Sequence, residues 1–255
     1  MNIKKKLRSL WYSFLDTLPI KGYLTHAMCE AYSEEQFSYD AANFVVFNQI
    51  PGDYLEFGSY TGESMTSFYR HVYFHWRSYC VHARKYQHPV EETFFQQKRF
   101  FAFDSFEGLP ASKDPSLPTH FAKSGSYAMS EQEFLQTLKD QGINIQSVIP
   151  VKGWYDQSLT PELKTKKSLK QAAAIYIDCD LYESAVPVFR FSTDLIQDGT
   201  VIMIDDFFRY RGHPHQGVQR AFREWRERHP EIFLQELTRC RANRIAYVCS
   251  VGVHG

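Results

Sequence analysis

Two apolar runs in this chain end in paired acids. Ala172–Ile177 (AAAIYI) leads into Asp178-Cys179-Asp180, and Thr200–Ile204 (TVIMI) leads into Asp205-Asp206. Short apolar runs bounded by polar residues read as strands buried on both faces. If the two strands are parallel, four carboxylates gather at one rim of the sheet. Carboxylates held that close repel, and one of them must take up a proton. A hard divalent cation removes the difficulty, since Mg²⁺ takes one or two protein carboxylates and completes a near-octahedral shell with waters and substrate oxygens. Asp180 and Asp206 are also placed to cap the helices that follow, whereas Asp178 and Asp205 come directly off buried strands.

A second constellation precedes it. Asp53–Phe57 (DYLEF) reads as a strand that runs into a tight turn, Gly58–Gly62, within the text Glu56-Phe-Gly58-Ser59-Tyr-Thr-Gly62-Glu-Ser64. The G-x-x-x-G spacing is neither the dinucleotide fingerprint nor a P-loop, which lacks its Lys-Ser/Thr pair here. A pyrophosphate would be poorly held, so the expected ligand is a nucleoside without one. A strand over Phe100–Phe103 then ends at Asp104, whose carboxylate can accept hydrogen bonds from both ribose hydroxyls. The pair suits S-adenosylmethionine. Taken singly, the glycines fit an ordinary strand-to-helix turn, and Asp104 fits a loop cap.

The elements that must position these groups alternate. Helical spacing covers Ser33–Asn48, Glu63–Arg77, Glu131–Gln141, Leu181–Ile196 and Gln216–Arg228. Ser130 with Glu133 three residues on forms a capping box for the third of these. Further strands read over Ser147–Val151, Phe233–Leu237 and Ile245–Ser250, the last two as a terminal pair. Strands alternating with helices predict a parallel sheet covered on both faces. The stretch Ser105–Ala128 is rich in Pro, Ser, Gly and Lys, and a loop that long reads as a lid or binding loop.

Composition narrows the function further. The 29 basic and 29 acidic residues cancel, which argues against a whole-surface attraction to nucleic acid. No transmembrane segment is expected, because no run of about 18 apolar residues occurs. The five scattered cysteines form no CxxC pair and read as reduced thiols of a cytoplasmic protein. Met1–Leu18 opens with Lys4, Lys5, Lys6 and Arg8, but its apolar residues Leu7, Leu10, Trp11, Phe14, Leu15 and Leu18 are spaced as a helical face rather than a signal peptide. That face is expected to dock on the body or a second subunit; a basic amphipathic helix on an anionic membrane is the other reading.

The chain resembles the macrocin O-methyltransferase family of bacterial, S-adenosylmethionine-dependent sugar methyltransferases. The resemblance is carried, in order, by GDYLEFGSYTGES (52–64), FDSFEGLP (103–110), VKGWYDQSL (151–159), IDCDLYES (177–184), DGTVIMIDDF (198–207) and GVQRAFREW (217–225). It implies an α/β class I methyltransferase Rossmann-like fold: a seven-stranded, mostly parallel sheet with an antiparallel last strand, plus N-terminal helices. Residues 1–50 would form a lid or dimerisation segment, and 51–255 the methyltransferase domain. It implies cofactor contacts from the turn (Glu56, Gly58, Ser59, Gly62, Ser64), from Asp104 and Ser105 at the ribose, and from Gly153 and Trp154 near the adenine. It implies Mg²⁺ bound by Asp178, Asp205 and Asp206, with Asp178 also the base. The acceptor would be a sugar or other small molecule bearing a vicinal diol, and the protein a homodimer or higher oligomer.

One departure stands out. Gly58 lies 46 positions before Asp104, where about 20 are expected; the extra text is around Trp76–Lys98. Tyr182, in the IDCDLYES motif, is a candidate acceptor contact expected to pack or position rather than react. His213 and His215, in the loop after the fifth strand, are candidate acceptor contacts or an auxiliary base. His71 and His75 have a metal-like spacing but no accompanying HExxH, and read as surface or partly buried polar groups. Three rival readings remain: a catechol-type methyltransferase with the same metal chemistry, a membrane-associated modifier of lipid-linked glycans, and a non-catalytic nucleoside-binding scaffold on the same fold.

Overall fold

The computed structural model describes residues 23–86, 93–111, 124–240 and 243–252. The amphipathic stretch Met1–Leu18 lies outside them. In chain order the elements are α1 (Tyr23–Phe47), β1 (Asp53–Phe57), α2 (Glu63–Tyr86), β2 (Phe100–Asp104), α3 (Glu131–Asp140), β3 (Val148–Lys152), α4 (Tyr155–Ser158), α5 (Pro161–Lys167), β4 (Ala172–Ile177), α6 (Tyr182–Ser192), β5 (Val201–Ile204), α7 (Gly217–Arg228), β6 (Ile232–Cys240) and β7 (Arg244–Val251). The seven strands form one sheet in the order β3-β2-β1-β4-β5-β7-β6. The first five are parallel, and β7 runs antiparallel between β5 and β6. This is the class I methyltransferase architecture that the motifs implied.

The central strands β1, β2, β4 and β5 are buried on both faces, and their side chains alternate between two cores. Tyr54 on β1, Phe100 and Ala102 on β2, and Tyr176 and Met203 on β4 and β5 pack under α1 and α2, against Val45, Met65, Phe68 and Val72. Leu55, Phe57, Phe101, Phe103, Ile175, Ile177, Ile202 and Ile204 point the other way, onto Val188, Phe189, Phe222 and Trp225 of α6 and α7. Phe57 and Phe103 stack with centroids 4.6 Å apart. Each such side chain fully buried is worth roughly 1.5–3 kcal/mol over leaving it in water. A one-residue slip would exchange the two faces and put Glu56 among the phenylalanines, so the register is firmly set.

Several boundaries differ from the expectation. The helix after β1 continues past Arg77 to Tyr86, so the first half of the 76–98 insertion is a helical extension; Val81 and Tyr86 on it are exposed. The expected helix Leu181–Ile196 ends at Ser192 and tightens into a 3₁₀ turn over Thr193–Leu195. The outer strand β6 is longer than Phe233–Leu237, because all nine of its residues find partners on β7 or lie in the bulge between Glu236 and Thr238. The capping box forms: the Ser130 side chain accepts from the Glu133 N–H, and the Glu133 carboxylate accepts from the Ser130 N–H at 3.0 Å. Among the described residues no helix is long and apolar enough to cross a membrane.

Candidate active site

The strand register assembles one rim. Phe57 is level with Phe103 and Ile177, and Ile177 with Ile204. The residues that follow, Gly58, Asp104, Asp178 and Asp205, therefore come together although they are dispersed over the sequence. The ladder continues one step beyond the strands: Gly58 N–H donates to Phe103 O at 3.0 Å, Asp178 N–H to Phe57 O at 2.8 Å and Asp205 N–H to Ile177 O at 2.9 Å. Gly58, at φ +88°, is required here. A Cβ on it would stand 1.7 Å from the Asp178 carbonyl oxygen. The turn that opens towards a ligand is thus also what lets Asp178 approach it.

A cleft of about 850 Å³ opens over this rim, lined by residues of every loop at the carboxyl edge of the parallel strands, among them Gly58, Asp104, Ser105, Gly153, Trp154, Asp178, Asp205 and Asp206. A smaller recess of about 390 Å³ adjoins it beside the turn; it is lined by Ser59 and Ser64 and shares Gly58, Tyr60, Asp178 and Arg244 with the larger one. Asp104 anchors the turn: Oδ2 accepts from Ser59 N–H and Oδ1 from Phe106 N–H, both at 2.8 Å. Oδ2 also accepts a longer bond from Tyr60 N–H at 3.5 Å, which leaves Oδ1 with the spare lone pair for a ligand hydroxyl. The Ser105 hydroxyl donates to Gly108 O at 2.9 Å and accepts from Glu107 N–H at 3.1 Å, closing the next turn.

Two expected cofactor contacts have other surroundings. Glu56 lines neither cavity. It is fully buried and accepts from the Tyr54 hydroxyl. Burial pushes its carboxyl up to about 7, opposed by hydrogen bonding from Tyr54. Gly62 also lines neither, and its bare Cα faces Leu138 and Phe134, where a Cβ would come within 2.8 and 3.0 Å; it lets α3 close on the turn. Beside that turn Thr66 Oγ1 and Ser67 Oγ, which line the smaller recess, are buried without a partner. Unpaired buried polar atoms are rare, and this group fits the polar tail of a nucleoside-type cofactor.

The acids form the densest part of the site. One carboxylate oxygen from each of Asp178, Asp180 and Asp206 lies within 4.8 Å of the others. Burial, then Asp205, Asp180 and Asp206, push the Asp178 carboxyl well above the usual range, with Arg244 opposing. Burial and the adjoining Asp206 carboxyl do the same to Asp180. Neither Asp180 nor Asp206 caps a helix: α6 begins after Leu181 without a side-chain cap, and the short turn at Tyr210 follows Arg209. Both acids instead adopt left-handed backbone, φ +57° and +55°, an arrangement that costs of order 1–3 kcal/mol and clusters at functional sites.

Asp205 lies beside this group but faces Arg244, whose Nε donates to Oδ2 at 2.6 Å. Arg209 pairs with Asp206 and stands 3.5 Å from Asp180. Neither arginine was singled out in the sequence, and nothing in Arg244's neighbourhood along the chain marks it. Tyr60 and Tyr127 also line the cleft, their rings edge to face at 5.5 Å.

Tyr182 does not line the cleft. Its hydroxyl donates to Glu224 at 2.8 Å, and Arg220 covers its ring at 4.0 Å. His213 and His215 are exposed outside the cleft lining; His213 Nδ1 accepts from His215 N–H, and His215 Nδ1 meets Arg223 at 3.1 Å. His71 pairs with Glu35 at 3.0 Å, and His75 is buried beside Tyr39.

A seven-stranded class I sheet with a cleft over its carboxyl rim and an acid group beside it is an arrangement that fits an O-methyltransferase. The macrocin O-methyltransferase family model matches residues 23–233, and the chain belongs to that family. Among solved structures it is similar to the O-methyltransferase NovP, at 16% identity over 86% of this chain and 80% of that one, TM-score 0.62. It is similar to CalS11, a calicheamicin methyltransferase, at 18% identity over 97% and 93%, TM-score 0.61. It also matches the O-methyltransferase TomG from Streptomyces achromogenes, solved with S-adenosylmethionine, at 12% identity over 99% and 100%, TM-score 0.51. No curated protein sequence gives a significant match.

Proposed function

We propose that the protein transfers the methyl group of S-adenosylmethionine to a hydroxyl of a sugar bearing a vicinal diol, assisted by Mg²⁺. The observation that carries this reading is the crowding of carboxylates at the ends of β4 and β5, directly beside the Gly58 turn. Burial first, and then the neighbouring carboxylates, drive Asp178 and Asp180 towards protonation, and a divalent cation would offset both. The ligands would come from Asp178, Asp180, Asp205 and Asp206, and a bound Mg²⁺ would lower the pKa of an acceptor hydroxyl. The sugar acceptor is supported by CalS11, a TDP-rhamnose 3′-O-methyltransferase.

The chain's own residues supply the rest. Asp104 receives the ribose hydroxyls, Gly153 and Trp154 flank the adenine, and the unpaired hydroxyls around the turn receive the amino-acid tail. Asp178 takes the acceptor proton as the oxygen attacks the methyl carbon. One C–O bond forms, the C–S bond breaks, and the sulfonium leaves as the neutral thioether. Holding the two reactants collinear in this cleft can supply roughly 7–11 kcal/mol of the barrier reduction. Calorimetric titration with S-adenosylmethionine, followed by a cofactor-consumption screen over deoxysugars, glycans and catechols with and without EDTA, tests the reading. The expected result is cofactor binding and an EDTA-sensitive turnover with a sugar. Turnover indifferent to EDTA overturns the metal, turnover with catechols alone overturns the acceptor, and no cofactor binding overturns the whole.

A further inference from the structure

We propose that the outward face of α2, from Phe74 to Tyr86, is a docking surface for an anionic membrane.

The face mixes apolar groups with cations. Phe74 and Val81 stand seven residues apart and so return to the same side of the helix, as do Arg77 and Arg84, and Lys85 joins them four residues after Val81. All five are exposed, Phe74 by 54% and Val81 by 69%. Val72, Trp76 and Ala83 take the opposite side and are buried in the core, so the outward side is not needed to hold the helix down. Tyr73 and Tyr86, also exposed, border the face. Arg77 stands over the Tyr73 ring at 5.6 Å and Lys85 over the Tyr86 ring at 5.2 Å. Long cations whose stems lie along apolar surface, beside tyrosines with wet hydroxyls, are the side chains that suit a headgroup boundary.

Charge says which partner fits. The whole chain is neutral, but α2 carries no acid after Glu63, and among the described residues no carboxylate pairs with Arg77, Arg84 or Lys85. A second copy laid on this face by a two-fold axis would set cations against cations. An anionic surface removes that repulsion. Phosphate alone would leave Phe74 and Val81 in water, whereas a bilayer accepts both the charges and the apolar side chains. The helix is not apolar enough to cross; it would lie on the surface.

The placement also leaves the active site open. α2 begins at Glu63, directly after the Gly58 turn, and Phe74 lies 11 residues further on, roughly 16 Å along the axis at 1.5 Å per residue. Docked by this face, the enzyme rests on its flank, and the cleft over the carboxyl rim stays uncovered.

The test is co-sedimentation of the full chain with vesicles of equimolar phosphatidylcholine and phosphatidylserine, against vesicles of phosphatidylcholine alone. The wild type should bind the mixed vesicles, lose them as salt is raised, and ignore the neutral ones. Arg77→Gln with Arg84→Gln should weaken binding roughly twentyfold, at about fivefold per cation. Arg77→Lys with Arg84→Lys keeps the charge and should stay within about threefold. Phe74→Ser with Val81→Ser should weaken binding roughly tenfold or more, by removing the apolar contact. All six positions changed are exposed or conservative in charge, and melting temperatures within a few degrees of wild type show that the fold is intact. A wild type that does not bind the mixed vesicles overturns the proposal. So does binding that the Gln pair leaves unchanged, which would put the contact elsewhere on the chain. Binding unaffected by the Ser pair, or tighter binding to a DNA duplex than to the vesicles, overturns the membrane in favour of a purely ionic partner.

Discussion

The two ends of one sheet handle charge in opposite ways. At the amino ends of the strands, the charged groups that begin β1 and β2 are saturated. Arg99 donates to both carboxylate oxygens of Asp53, at 2.9 and 2.6 Å, and to Lys167 O and Ser168 O. Lys98, though buried, donates to Ile50 O and Gly52 O and stands over the Phe94 ring. At the carboxyl ends, acids crowd one another, two sit in left-handed backbone and several polar atoms lack partners. The same strands end in both rims, so the difference comes from the loops. Charge that is fully paired holds the fold, and charge left unpaired is held ready for something that binds.

The largest effect that would break this comparison is at Asp178. Asp178→Asn should lower methyl transfer by about a thousandfold, with the acceptor that the screen identifies, because general-base catalysis typically supplies a factor of 10²–10⁴. It should leave the S-adenosylmethionine affinity within a few-fold and raise the melting temperature, since it removes a repelling charge. Near-normal turnover with a lowered melting temperature would make the carboxyl rim as structural as the amino rim.

Next comes Glu56, on the same crowded side. Its folded carboxyl titrates near 7 against an ordinary 4.5, so between those pH values the folded protein binds a proton that the unfolded chain has released. Stability from this group is present below about pH 4.5 and is lost as pH rises through about 7, by about 3 kcal/mol in all. Urea unfolding of wild type and Glu56→Gln at pH 5 and pH 7.5 measures it. The variant should be the more stable protein at the higher pH, and parallel pH responses would refute the burial argument.

The smallest effect sharpens the other rim. Asp53→Asn should cost about 2 kcal/mol in urea unfolding, between the values for exposed and buried ion pairs, because Asp53 is 7% exposed and Arg99 35%. Cofactor and Mn²⁺ binding should be unchanged. A loss of either would show that the two rims are coupled through the sheet.

Much of this was legible along the chain. Apolar runs located β4 and β5, because a parallel strand buried on both faces reads as a near-continuous hydrophobic stretch. Ser130 and Glu133 announced the start of α3, because a capping box is a contact across three residues. The acids after β4 and β5 announced the rim. What stayed hidden was non-local. The extension of α2 to Tyr86 carries His82, Arg84 and Lys85, and its polar text lacked the apolar stripe that marks a helix. Gly62 also makes room for α3, which begins 69 residues later at Glu131, a packing role that no local pattern marks.

By itself the sequence determined the sheet, the turn at Gly58 and the presence of four carboxylates at its edge, because strand periodicity and turn chemistry are written in adjacent residues. Only the tertiary structure decided how those carboxylates are shared. Arg244 reaches Asp205 from a strand that begins 39 residues later, and Arg209 reaches Asp180 from the far side of a whole helix and strand. Which acid is neutralised and which is left open depends on distances of a few ångströms between segments that have no reason, within the chain, to meet.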